Sequence, residues 1–332
     1  MARWMMALLG LLLLAARAPE PDLRLDTDAA EAVLAMLEEQ AAGQGISDAQ
    51  WARLVASAGY RRLRERENAM SRPFTDAEFR SFVSSPELIQ RRAALAETLA
   101  RWRSADLTSA AARAAAYLPA GSRIKATIFP MIKPRPNSFV FDLENDPAIF
   151  LYLDPAVPPE RFTNIVAHEL HHIGFASACS GRPPRQLAPA AAAIEQWSSA
   201  LGEGVAMLAA AGGPEVHPHA VSPPEDRARW DGDVARFEAD FGRLASFFSD
   251  IRGGRLTGDP LQRQAMSFFG VQGPWYTVGW RMAQLIEREF GRDALVPALC
   301  NRHALFLVYN MAAARRSLPQ WPRPVVEALA GR

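Results

Sequence analysis

The strongest chemical signal in this sequence lies in the stretch Ile165-Val166-Ala167-His168-Glu169-Leu170-His171-His172-Ile173-Gly174. His168, Glu169 and His172 form the pattern His-Glu-x-x-His. On a helix of 3.6 residues per turn, side chains four apart stack on one face, so the two imidazoles can share one metal ion. Glu169 stands one residue round from the first ligand and reaches a water beside the metal rather than the metal itself. Neutral imidazole suits Zn2+, and a site that keeps one open corner is catalytic rather than structural. The chemistry implied is hydrolysis by a metal-activated water. With only six His in 332 residues, the pattern arises by chance in fewer than about one chain in a hundred. Its flanks, Phe162, Ile165, Val166, Leu170, Ile173 and Phe175, are apolar on nearly every side, as in a buried helix. Two His and a Glu in such a helix cost several kcal/mol unless paired or metal-bound. His171 is read as a supporting or surface residue rather than a ligand.

Two histidines do not complete a coordination shell, and the following region offers three sources for the next ligand. Glu203, in Leu201-Gly202-Glu203-Gly204-Val205-Ala206-Met207, ranks first. Small residues on both sides of its carboxylate allow that helix to approach the first one closely. Glu195 lies two turns earlier on the same helix and ranks second. His217 and His219, in a Pro-bearing turn, rank third. The metzincin extension needs a Gly three residues and a His six residues past the second ligand; Phe175 and Ala178 occupy those positions, so that class is excluded.

The two elements together, His168-Glu169-Leu170-His171-His172 and Gly202-Glu203-Gly204-Val205-Ala206, resemble the gluzincin metallopeptidases. More narrowly, the chain is similar to an uncharacterised bacterial family of zinc-dependent peptidases. The likeness spans roughly residues 120–310. It implies one zinc ion held by His168, His172 and Glu203, with Glu169 taking a proton from the attacking water and passing it to the leaving amine. Tyr276-Thr277-Val278-Gly279 resembles the Tyr-x-x-Gly start of a later helix in that superfamily, which implies that the Tyr276 hydroxyl assists the oxyanion. His303 is a further candidate. One departure concerns the Asp that thermolysin-like enzymes place four residues after the ligand Glu to orient a histidine: Met207 stands there.

These residues need elements to position them. From Asp26 to about Leu118 the pattern is helical, with Asp28/Glu31, Ser47/Gln50 and Thr75/Glu78 spaced as capping boxes. Ser85-Pro86 opens a helix expected to continue through Trp102 towards Leu107. The alternating charges from Arg61 to Glu67 read as a solvated helix face. Past Leu118 the period changes. Ile124–Pro130, Phe139–Asp142 and Ile149–Leu153 read as strands, with turn material between them. Pro158-Pro159 suits the first turn of the metal helix. The expected fold is therefore α+β and predominantly helical: a zincin-like domain, residues 119–332, with a small sheet beside its active-site helix, preceded by an all-helical region, residues 19–118. A sheet edge beside the zinc would let an extended peptide add itself as a strand. Further helices are expected over Ala190–Ala211, Glu225–Ile251, Val278–Phe290 and Asp293–Ala314, the last broken near Cys300-Asn301.

The composition bounds the partners. A net charge of +1 with 22% charged residues gives no reason to expect nucleic acid or an acidic membrane surface. Arg3 followed by the apolar run Trp4–Ala16 and the small residues to Ala18 has the build of a signal peptide over residues 1–18, implying a periplasmic or secreted protein. Pro19 is an awkward neighbour for signal peptidase, and an uncleaved N-terminal anchor is the alternative. In an oxidising compartment Cys179 and Cys300 would either close a disulfide, tying the metal helix to the C-terminal helices, or stay as two buried thiols. The expected substrate is a peptide or protein. The alternatives are a silent zinc-binding scaffold of the same fold, and a zinc amidase acting on cell-wall peptides.

Overall fold

The computed structural model describes residues 20–179 and 186–330; the expected signal segment, residues 1–18, lies outside them. The chain begins with a strand, β1 (Asp22–Leu25), and then runs through α1 (Asp28–Ala41), α2 (Asp48–Ala56), α3 (Ala58–Ala69), α4 (Asp76–Val83), α5 (Pro86–Gln90), α6 (Arg92–Arg103) and α7 (Leu107–Ala115). The region expected to be all-helical therefore carries one strand. Four residues with two apolar side chains are too short to show a period, and β1 is held by pairing with a segment 103 residues away.

Of the three expected capping boxes one forms in full and one in half, the Ser47 N–H going to Glu39 instead of Gln50. Thr75 and Glu78 form a reciprocal capping box, and Ser47 accepts from the Gln50 N–H. The third differs: Thr27, not Asp28, precedes α1, and its hydroxyl donates to Glu31 at 2.6 Å. The helix expected from Pro86 through Trp102 is broken at Arg91 into α5 and α6.

Three strands follow: β2 (Lys125–Met131), β3 (Phe139–Phe141) and β4 (Ala148–Tyr152). The sheet order is β1-β2-β4-β3, with β1/β2 and β2/β4 parallel and β3/β4 antiparallel. Phe150 pairs in register with Phe129 on one side and Phe139 on the other, and the three rings stack. The short strand β3 forms the outer edge.

The metal-motif helix, α8 (Pro159–Cys179), comes next, with proline at its first position, where no backbone N–H is required. Then come α9 (Pro189–Ser198), a 3-10 turn (Ser199–Leu201), α10 (Gly202–Ala211), α11 (Pro224–Ala235), α12 (Phe237–Arg252), α13 (Gly258–Ser267), α14 (Pro274–Phe290), α15 (Arg292–Ala298), α16 (Arg302–Arg315) and α17 (Arg323–Leu329).

Two apolar cores result, and α8 runs between them. Phe162, Val166, Leu170 and Ile173 sit on one face of α8 and join the core made by α1–α7 and the sheet. Trp102 on α6 stacks on Phe162 at 4.4 Å and donates to the Val157 carbonyl, which fixes the entry to α8. The second core is built by α9–α17 around Phe241, Phe248, Trp275 and Trp321. The change of pattern at Leu118 does not divide these cores, because the sheet packs with the N-terminal helices. Cys179 and Cys300 form a disulfide across a separation of 121 residues, joining the end of α8 to the α15–α16 connection.

Candidate metal centre

With its apolar face committed to the first core, α8 turns His168, Glu169 and His172 the other way, towards α10. The crossing of these helices brings three donor groups together. His168 Nε2 lies 3.2 Å from Glu203 Oε2, His172 Nε2 lies 3.4 Å from the same oxygen, and the two imidazole nitrogens are 3.1 Å apart. Tetrahedral coordination with bonds of 2.0–2.1 Å places ligand atoms about 3.3 Å from one another. The donor set is thus of the right kind and spacing for one zinc ion. Among the described residues, His168, His172 and Glu203 form the one group of this kind able to hold a metal.

The lower-ranked ligand candidates are placed elsewhere. Glu195 lies near Arg302, whose charge it stabilises. His217 pairs with Asp231 at 2.8 Å, and His219 Nδ1 sits 3.0 Å from the Ser222 hydroxyl. His219 does line a compartment of about 220 Å3 on the far side of His168 and Glu169, together with Arg161, Gln272 and Tyr276. His171 is buried, with Nε2 3.3 Å from the Tyr117 carbonyl.

The glycines beside Glu203 act differently from the expectation. A Cβ at Gly202 would meet nothing within 4 Å, and one at Gly204 would strike α14 rather than α8: Trp280 N at 1.9 Å and the Tyr276 carbonyl at 2.4 Å. Gly279 is the reciprocal position, where a Cβ would fall 2.2 Å from the Leu201 carbonyl. Backbone therefore meets backbone where α10 crosses α14, one turn from Tyr276. That crossing sets the phenol beside Glu203, with its ring stacked 6.5 Å from that of His168. On α8 itself it is Gly174 that is crowded, against Leu118.

Charge and burial set the proton affinities. Burial raises the Glu169 carboxyl above its ordinary value, and the negative Glu203 adds to this, against the opposing pull of His168 and His172. Burial opposes protonation of His172, yet the Glu203 carboxylate beside it outweighs that and lifts it to about 9 in the metal-free protein. Burial likewise acts to raise Glu203, but the two imidazoles hold it far below the carboxylate range. Burial, then His172 and His168, push His171 down to about 3, so it stays neutral. The Tyr276 phenol is raised by burial and by the adjacent Glu203 and keeps its proton throughout the physiological range.

The centre opens into a cleft of about 650 Å3. One wall is Ser138, Phe139 and Val140 at the sheet edge, and the other includes Trp197, Phe269 and Arg302. Arg302 escapes sequence reasoning, because it becomes part of the site only through the C-terminal packing. Its one local signal is proximity to Cys300. The Met207 position, where an orienting acid was looked for, offers only a thioether contact to Gln272 at 3.9 Å. His168 Nδ1 is buried without a hydrogen-bond partner among the described residues.

A family model described as "Putative zinc dependent peptidase (DUF5700)" matches residues 51–317. The chain belongs to this family. The match starts within α2 and ends just past α16, so it takes in most of the N-terminal helices, the strands β2, β3 and β4, α8 and α10. No curated protein and no solved structure matches the chain.

Proposed function

We propose that this member of the family hydrolyses peptide bonds at a single zinc site formed by His168, His172 and Glu203, with Glu169 as general base. The observation that carries the reading is the convergence of two imidazole nitrogens and one carboxylate oxygen, all within 3.4 Å of one another, with Glu169 and Tyr276 lining the same cleft. Zinc bound there supplies Lewis acidity, which activates water and polarises the scissile carbonyl.

The protein's own residues do the rest. Glu169 accepts the proton of the attacking water and returns it to the leaving amine; a carboxyl raised by burial is better matched to that exchange near neutral pH. Tyr276 holds its proton, so it donates to the oxyanion as charge develops there. His171, kept neutral, adds no competing charge.

The substrate reading rests on the sheet. β3 ends the order β1-β2-β4-β3, and its residues line the cleft, so an extended peptide can pair with its outer edge and pass its backbone across the metal. Export to an oxidising compartment is part of the same proposal, supported by the Cys179–Cys300 bond and the sequence of residues 1–18.

The test is Glu169→Gln in the zinc-loaded protein. Peptide cleavage should fall by about 10²–10⁴-fold while zinc content stays unchanged. Cleavage at the wild-type rate would reject Glu169 as the base.

A further inference from the structure

One cation in the cleft wall has no part in the reaction proposed above. Arg302 is the first residue of α16, is 6% exposed, and lines the cleft that holds His168, His172 and Glu203. Among the described residues lining that cleft it is the one Arg or Lys. The acids there are Glu169 and Glu203, both engaged at the reaction centre, so none is left to hold a substrate's free amine.

Arg302 is fixed from several sides. Its guanidinium lies over the Phe175 ring at 5.4 Å, its Nη1 donates to the Leu299 carbonyl at 3.2 Å, and Cys300, two residues earlier, is bonded to the end of α8. Phe175 follows His172 by three residues, on the order of 4.5 Å along the helix axis. The guanidinium therefore sits over the turn of α8 that follows the ligands, in the wall of the same cleft.

Charge decides what belongs opposite it. A buried cation is costly unless an anion answers it. Burial lowers the Arg302 guanidinium to about 10, so it is still charged at neutral pH, with Glu195 as the nearby anion that stabilises it. The positive end of α16, a 14-residue helix, lies beside it and favours a further negative group. The planar fork of N–H donors matches a carboxylate.

We propose that Arg302 is a specificity determinant, selecting peptides that carry a carboxylate near the scissile bond. That carboxylate is either the peptide's own C-terminus or an Asp or Glu side chain. The inference rests on the peptidase reading.

The test measures binding, so that it does not depend on turnover. Zinc-loaded Glu169→Gln protein is titrated with two labelled peptide pairs by fluorescence anisotropy. The first pair shares one sequence with a free or amidated C-terminus; the second has blocked ends and an internal Glu or Gln. In at least one pair the carboxylate member should bind about ten- to a hundredfold tighter, and the pair affected identifies the source of the carboxylate. Adding Arg302→Gln should bring that ratio to about one, Arg302→Lys should keep part of it, and Glu195→Gln should widen it by removing the competing negative charge. Ratios near one in both pairs, or a ratio that survives Arg302→Gln, would overturn the inference. Zinc content and melting temperature monitor the fold; should Arg302→Gln not fold, unchanged ratios in Arg302→Lys and Glu195→Gln overturn it equally. Failure of the parent reading is a separate result: protein with Glu169 intact would leave these peptides uncut although the binding ratios hold.

Discussion

Two clusters of buried charge lie on opposite sides of β3, and they are built on opposite principles. Behind the strand, Lys133 is 3% exposed and its Nζ donates to the Arg135 carbonyl at 2.5 Å and to Asn137 Oδ1 at 2.7 Å. Glu67, also buried, faces Arg66 at 2.5 Å, Arg72 at 3.4 Å and Arg135 at 3.9 Å. There Lys133 finds two acceptors, Glu67 gathers three guanidinium groups, and the Arg66 guanidinium sits over the Phe139 ring at 3.8 Å. In front of the strand, His168, His172 and Glu203 point acceptors at acceptors. Without a cation that arrangement holds together only by taking up protons, which is why His172 is lifted to about 9. Burial of charge by itself does not mark a site. An imbalance of donors and acceptors, aimed at one point, does.

Zinc removal is the largest perturbation that separates the clusters. A chelator should abolish peptide cleavage and remove the stabilisation that the ion provides, about 2.7 kcal/mol when free zinc stands a hundredfold above its Kd. Calorimetry with and without chelator measures it, and the Lys133 cluster should not respond. Next in size is Tyr276→Phe, which removes a donor without unbalancing the ligands. It should lower kcat by about 10²–10³-fold with KM and zinc content nearly unchanged; a KM effect alone would mean that the phenol only binds substrate.

The proton balance sharpens the comparison further. His172 is raised above the ordinary histidine value, so in the metal-free protein it is protonated at pH 7, and its contribution to stability is full below about 6.5 and lost as pH rises through about 9. Zinc binding at pH 7 should therefore release about one proton, read by calorimetry in buffers of different ionisation enthalpy, and zinc affinity should rise with pH up to about 9. The smallest effect is expected behind the strand. Lys133→Met should cost about 1–3 kcal/mol of stability, equal with and without zinc, because Glu67 keeps Arg66 and Arg72.

Much of this site was legible because its signals are local. His168 and His172 are four apart on one helix, so their shared face follows from helical geometry alone, and the apolar flanks of α8 show which faces are buried. β2 and β4 are long enough to show their character. Glu203 was reachable as a carboxylate between glycines, although the structural reason for Gly204 proved to be α14 and not α8. What stayed hidden depends on distant partners. β1 is four residues that become a strand only against β2; the break at Arg91 carries neither Pro nor Gly; and Arg302 enters the cleft through the packing of α16 and the bond from Cys300 to Cys179.

The central claim is that side chains from α8 and α10 grip a single ion, and zinc content tests it most directly. Purified wild-type protein and Glu169→Gln should each hold about one zinc per chain, while His172→Ala and Glu203→Ala, dialysed alongside, should lose it. A full equivalent of zinc retained by Glu203→Ala would contradict the account.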